Sequence, residues 1–142
     1  MKAAVITCSN RSAAGERPDD SGELLAALLE DAGHDVDFRR IVPDEVEAIR
    51  AAVRAALDGG AALVLTTGGT GLTPTDVTPE ALRPLFDREI PGIGEALRMV
   101  ARERVPTSVL SRGVAGTVGA ALVVALPGSP GGVRDGMAVL AP

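Results

Sequence analysis

The apolar positions of this chain follow two rhythms that alternate along it. Ala3-Ala4-Val5-Ile6-Thr7, Ala61-Ala62-Leu63-Val64-Leu65-Thr66 and Ala121-Leu122-Val123-Val124-Ala125-Leu126 are short, nearly continuous apolar runs. Such runs predict strands covered on both faces, because a strand with one face in water alternates apolar with polar residues. Asp35 to Val42 does alternate, and so predicts a half-covered strand near a sheet edge. Between these runs the spacing becomes helical. Leu24, Leu25, Leu28 and Leu29 follow Asp20 and Glu23, a capping-box-like start, and end before Gly33. Val46, Ile49, Val53 and Leu57 follow the cap-like Asp44-Glu45-Val46-Glu47 and stop at Gly59-Gly60. Thr78-Pro79-Glu80 reads as an N-cap with proline at the first helical position, and Pro84 ends or kinks that helix soon after. Ile90, Ile93, Leu97 and Val100 mark another helix, and the last one, from Gly132 toward Ala141-Pro142, is expected either to be short or to belong to a longer natural chain.

Strands alternating with helices predict an α/β fold with a largely parallel central sheet, helices on both faces and right-handed crossovers. No linker or internal repeat interrupts the 142 residues, so one domain over residues 1–142 is expected. Composition sharpens the picture of its interior. Hydrophobic residues make up 46% of the chain, yet Trp and Tyr are absent and Phe38 and Phe86 are the only rings, so the core has to be aliphatic. The same scarcity argues against single-stranded nucleic acid, which is gripped by aromatic platforms in a basic groove. A formal charge of −5 gives no footprint for a polyanion. A lone cysteine, Cys8, can build neither an internal disulfide nor a thiolate zinc site, which fits a reducing compartment, and the cytoplasm is the expected location. No stretch approaches the roughly 20 apolar residues of a membrane span, and no charged-then-apolar leader follows Met1-Lys2.

Ligands of open α/β sheets bind beyond the carboxyl ends of the strands, where loops converge at a switch point. The loops in that position are Ser9-Asn10-Arg11-Ser12, Thr67-Gly68-Gly69-Thr70-Gly71 and Pro127-Gly128-Ser129. Glycines there either let amides approach a phosphate or simply make a tight turn. Neither the P-loop lysine nor the third glycine of the dinucleotide fingerprint is present, so any phosphate site is of another type. Asp76 is open to two readings, a turn residue or a metal ligand, and Asp44 likewise to a helix cap or a metal ligand. Two carboxylates at strand ends would suit magnesium, which keeps several waters and takes few protein ligands. Cys8 reads as a buried small group and His34 as a boundary residue, with no nucleophile and base pair to be made from them. Arg50, Arg54, Arg98 and Arg102 are most simply solvated helix faces.

The stretch Leu65 to Arg88, Leu-Thr-Thr-Gly-Gly-Thr-Gly-Leu-Thr-Pro-Thr-Asp-Val-Thr-Pro-Glu-Ala-Leu-Arg-Pro-Leu-Phe-Asp-Arg, closely resembles the MogA/MoaB family of molybdenum cofactor biosynthesis proteins. Ile41-Val42-Pro43-Asp44, Leu110-Ser111-Arg112 and Leu126-Pro127-Gly128-Ser129 resemble it too, in the family's order. The resemblance implies a three-layer α/β sandwich, a single molybdopterin-binding domain, that assembles as a homotrimer or hexamer and works beside other molybdenum cofactor enzymes. It implies binding of molybdopterin and ATP, and magnesium-dependent transfer of AMP to the terminal phosphate of molybdopterin. Carried onto this chain, Gly68, Gly69, Thr70 and Gly71 would hold phosphates, Asp44 and Asp76 would be catalytic and would position Mg2+, and Ser111, Arg112, Gly128 and Ser129 would line the pocket. The chain departs from the family's adenylyltransferases at Thr75, where Arg is common, at Asn10, where Asp is common, and at Gly131-Gly132, where basic residues are common. Asn10-Arg11, Asp19-Asp20-Ser21-Gly22 and Pro84-Leu85-Phe86-Asp87-Arg88 lean toward the MoaB branch, so a homolog that binds molybdopterin or a partner without turnover stays open beside the enzyme.

Overall fold

A computed structural model describes residues 1–140; the Ala141-Pro142 end of the last expected helix lies outside the described residues. The elements run β1 (Lys2–Cys8), α1 (Asn10–Ala13), α2 (Asp20–Asp31), β2 (Asp35–Val42), α3 (Val46–Asp58), β3 (Leu63–Thr67), α4 (Thr78–Leu82), β4 (Arg88–Glu89), α5 (Pro91–Met99), β5 (Ala115–Val118), β6 (Ala121–Leu126) and α6 (Pro130–Leu140). They form a sheet in the order β2-β1-β3-β6-β5-β4. β2, β1, β3 and β6 are parallel, and β5 and β4 extend the sheet antiparallel beyond β6.

The continuous apolar runs are explained by burial on both sides. Ala4, Ile6, Val64 and Val123 pack with Ile49 and Val53 of α3 and Leu82 of α4 on one face. Their chain neighbours Ala3, Val5, Leu65 and Val124 pack with Leu25 and Leu29 of α2 and Val133 and Met137 of α6 on the other. Successive residues of a strand point to opposite faces, so each run feeds two cores at once, and the result is a three-layer α/β sandwich. The alternating segment Asp35–Val42 is one of the two edge strands, β4 being the other. Among the described residues no helix is long and apolar enough to cross a membrane.

Helix starts differ from the sequence expectations by small, consequential amounts. The cap of α2 is Asp19, not Asp20, and its side chain accepts from the Gly22 N–H at 3.1 Å. Asp44 does not cap α3, which starts after Glu45 without a side-chain cap. Val77 precedes α4, which makes Thr78 its first residue and frees the Thr78 hydroxyl for the glycine loop. Pro84 converts the end of α4 into a short 3-10 turn over Arg83–Leu85. The β4–β5 pair carried no apolar rhythm to announce it; Gly116 opposes Glu89 in it, and a Cβ there would run into the Phe86 ring.

Candidate functional site

Because β1, β3 and β6 are parallel, their carboxyl ends lie on one edge, and the chain leaves β1 toward β2 on one side and β3 toward β6 on the other, a topological switch point. A cavity of about 870 Å³ opens at that edge. Its wall includes Asp44, Asp76, Gly68, Gly69, Thr70, Gly71, Ser111, Gly128 and Ser129. Arg112 is not in that wall; it stands behind the loop that forms it.

The glycine loop is held by hydrogen bonds to β6, to α4 and to Arg112. Gly68 N donates to Leu126 O at 3.0 Å, Thr78 N to Gly69 O at 3.1 Å and Arg112 N to Thr70 O at 2.8 Å. The Thr78 hydroxyl donates to Gly68 O at 2.9 Å. Gly68 and Gly69 have φ of +100° and +72°, and a Cβ at either would strike the Cys8 carbonyl or the Thr78 hydroxyl. Glycine is therefore required for the turn itself. The turn also leaves the Gly69, Thr70 and Gly71 amides without an acceptor among the described residues, so the tight-turn and anion-nest readings are compatible.

The Pro127-Gly128-Ser129 loop closes onto this one, whereas Ser9 to Ser12, expected as a loop, is the cap and start of α1. Thr67 Oγ1 donates to Pro127 O at 2.8 Å, and Ser21 Oγ at the start of α2 donates to Gly128 O at 2.6 Å. Ser129 Oγ accepts from Gly132 N at 3.0 Å, fixing the first turn of α6. Asn10 and Asp44 exchange two bonds, Asn10 N to Asp44 Oδ2 at 3.2 Å and Asp44 N to Asn10 Oδ1 at 2.8 Å.

The two aspartates are differently occupied. Asp44 Oδ1 is buried and has no hydrogen-bond partner, an arrangement that costs free energy unless a ligand supplies one. Burial pushes the Asp44 carboxyl above the usual range, the Asn10 amide pulls it down, and the nearby Asp76 charge pushes it up again. Asp76 Oδ2 accepts from the Thr73 amide at 2.9 Å and the Thr73 hydroxyl at 2.7 Å, which closes the Thr73–Asp76 turn. Among the described residues no group of three or more His, Cys, Asp and Glu side chains could cage a metal. A hard cation that takes one or two carboxylates fits the pair, with the orphaned Asp44 oxygen as its natural ligand.

Arg112 has a different task from lining a pocket. Its Nε donates to Gly71 O at 2.9 Å and its Nη2 to Asp76 O at 2.6 Å. Glu80 answers both terminal nitrogens, at 2.7 and 3.1 Å. The guanidinium thus ties both ends of the Gly71–Asp76 segment to α4, and the segment between carries Asp76. Sequence reasoning missed Glu80 and Thr78 as parts of this framework, since each reads locally as an ordinary helix-start residue, and missed Asp19 as part of the cavity wall. Arg50 and Arg98 also differ from the solvated-face expectation: Arg50 holds Ala81 O at 2.9 Å and Arg98 holds Gly113 O at 3.0 Å, whereas Arg54 and Arg102 are exposed.

Residues 4–142 match the family model described as a probable molybdopterin binding domain. A "Molybdenum cofactor biosynthesis bifunctional protein" of Synechococcus elongatus is 44% identical over 140 residues, covering 99% of this chain, which spans only 44% of that relative's length. A "Molybdopterin adenylyltransferase" of Pyrococcus furiosus is 40% identical over 145 residues, covering 99% of this chain and 85% of the relative. Among solved structures, a molybdopterin biosynthesis protein from Mycobacterium abscessus superposes with a TM-score of 0.94 at 47% identity, covering 99% of this chain and 89% of that one.

Proposed function

Since this chain belongs to the molybdopterin-binding family of molybdenum cofactor biosynthesis proteins, we propose that it transfers AMP from ATP to the terminal phosphate of molybdopterin. An oxygen of that phosphate attacks the α-phosphorus of ATP, a new P–O–P bond forms, the α–β bond breaks, and pyrophosphate leaves. Such a reaction between two anions needs charge neutralisation and in-line positioning rather than a covalent nucleophile. The cavity wall supplies neither a reactive thiol nor an imidazole, and the reaction asks for none.

The observation that carries this reading is the unpartnered, buried Asp44 Oδ1 facing a loop of open amides. Asp44 and Asp76 would hold magnesium, which when bound neutralises charge on the phosphate oxygens. The Gly69–Gly71 amides would receive phosphate oxygens, and Ser111, Gly128 and Ser129 would orient what lies beside them. The chain is proposed to work as a homotrimer or hexamer.

The deciding experiment is single-turnover transfer with molybdopterin, ATP and magnesium, on wild type and Asp76→Asn, beside melting curves. Asparagine still accepts the Thr73 bonds, so folding should be unchanged. AMP transfer should fall by two or more orders of magnitude, roughly 3 kcal/mol of lost transition-state stabilisation. Wild-type rates in the folded variant would remove the metal role of Asp76. A wild type that binds molybdopterin by calorimetry but transfers nothing would make the chain a binding protein without turnover.

A further inference from the structure

The cavity wall is strongly acidic for a site that receives phosphates: Asp19, Asp20, Asp44 and Asp76 all line it. Among the described residues only Asp19 has an ion pair, with Arg39 at 3.2 Å, along with the Thr7 hydroxyl and the Gly22 amide, while Asp76 feels the charge of Arg112 from behind the loop. Open amides offer partial charge but no full one. Among the described residues the wall contains a single basic side chain, Arg17, on the loop between α1 and α2.

Arg17 is free in a way that Arg112 is not. Arg112 has committed its Nε and both terminal nitrogens to protein oxygens. Arg17 is exposed, makes no salt bridge among the described residues, and has one long bond, from Nη2 to Ser9 Oγ at 3.4 Å. Ser9 is the N-cap of α1 and immediately precedes Asn10, whose amide meets Asp44. The guanidinium therefore stands beside the Ser9 cap of α1 with most of its donors unused. A planar guanidinium fork matches a phosphate with two parallel hydrogen bonds and keeps its charge at any physiological pH.

Building on the proposed function, we propose that Arg17 is the phosphate-gripping residue of this cavity, the one full positive charge the wall sets against an anionic substrate. Either the nucleotide's phosphates or that of molybdopterin presents this chemistry.

Calorimetric titration of wild type, Arg17→Ala and Arg17→Lys with ATP, with pyrophosphate and with molybdopterin, each with magnesium, tests it. Arg17→Ala should weaken at least one of these ligands about tenfold, with the gap narrowing as salt is raised. Arg17→Lys should fall between, since it keeps charge without the fork, and melting temperatures should be unchanged because the side chain is exposed. Loss confined to ATP and pyrophosphate assigns the contact to the nucleotide; loss confined to molybdopterin assigns it to the pterin's phosphate. Equal affinities of wild type and Arg17→Ala for all three ligands would overturn the proposal. The readout is binding, so a wild type that binds these ligands and transfers no AMP defeats adenylylation while the Arg17 result stands or falls alone. A wild type that binds none of them defeats both.

Discussion

Cys8 closes β1 beneath the glycine loop at 3% exposure, and burial pushes its thiol from the ordinary 9.0 up to about 12, the Thr78 hydroxyl opposing and the Asp44 charge adding. A group so placed stays protonated and should not react with Ellman's reagent until the chain unfolds. The sign of its pH effect follows. Between pH 9 and about 12 the unfolded chain loses a proton that the folded chain keeps. Stability should therefore fall by at most about 1.4 kcal/mol per pH unit in that window. Cys8→Ala should flatten this slope in alkaline denaturant titrations. At Gly69 and Gly15 the backbone angles are alike, φ +72° and +75°, but the surroundings are not. Around Gly15 a Cβ would meet open space, whereas at Gly69 it would strike the Thr78 hydroxyl and lie 3.3 Å from Asp44 Oδ1. Gly15→Ala should lose about 1 kcal/mol for the left-handed conformation alone, and Gly69→Ala about 2 kcal/mol or more. Equal losses in calorimetric melts would show that the Thr78 contact is not a constraint.

Among the elements, α4 is the short one with the longest reach. Thr78 pins the glycine loop and Glu80 pins Arg112, so five residues position the segment that carries Asp76. Arg112→Ala would leave the Gly71 and Asp76 carbonyls without their donor and should lower stability by about 2 kcal/mol. Amide exchange across Leu72–Asp76 should quicken while β3 stays protected, and uniform loosening would refute a local clamp. Glu80 predicts a pH dependence of its own. The Arg112 hydrogen bond holds its carboxyl below the ordinary 4.5. A lowered carboxyl pKa means that its contribution is complete above pH 4.5 and lost as pH falls through the lower folded value. In acid titrations Glu80→Gln should be less stable than wild type at neutral pH, with the difference closing below pH 4.5. A constant difference down to pH 3 would reject the pairing.

For the molecule as a whole, the accessible surface of 6933 Å² agrees with the roughly 6,800 Å² expected of a compact monomer of this mass. Folding is thus satisfied by one chain, and the proposed assembly would have to come from what the fold leaves outside. Met99, Val100, Val105, Val109 and Leu110 are exposed on α5 and the turn after it, a concentration of apolar side chains in one short stretch. Light scattering should return three or six times the monomer mass, and a Met99→Glu, Val105→Glu double variant should be a folded monomer. A wild-type monomer across micromolar concentrations would exclude the assembly, and an unfolded double variant would contradict the self-sufficiency of the chain.

How far the sequence alone reached is visible in particular residues. The runs at Ala3, Ala61 and Ala121 determined the buried parallel strands, and the leucine and valine spacings determined α2 and α3, because burial on a regular backbone imposes a local period. The same logic put the Ser9, Gly68 and Gly128 segments on one sheet edge, since parallel strands end together. Local period carries no information about partners distant along the chain. Whether Asp44 caps its helix or meets Asn10 depends on a residue 34 positions away. Whether Arg112 lines the cavity or clamps its loop depends on Glu80, 32 positions away. A side chain's task is set by which donors and acceptors reach it first in space, and only the tertiary structure decided that.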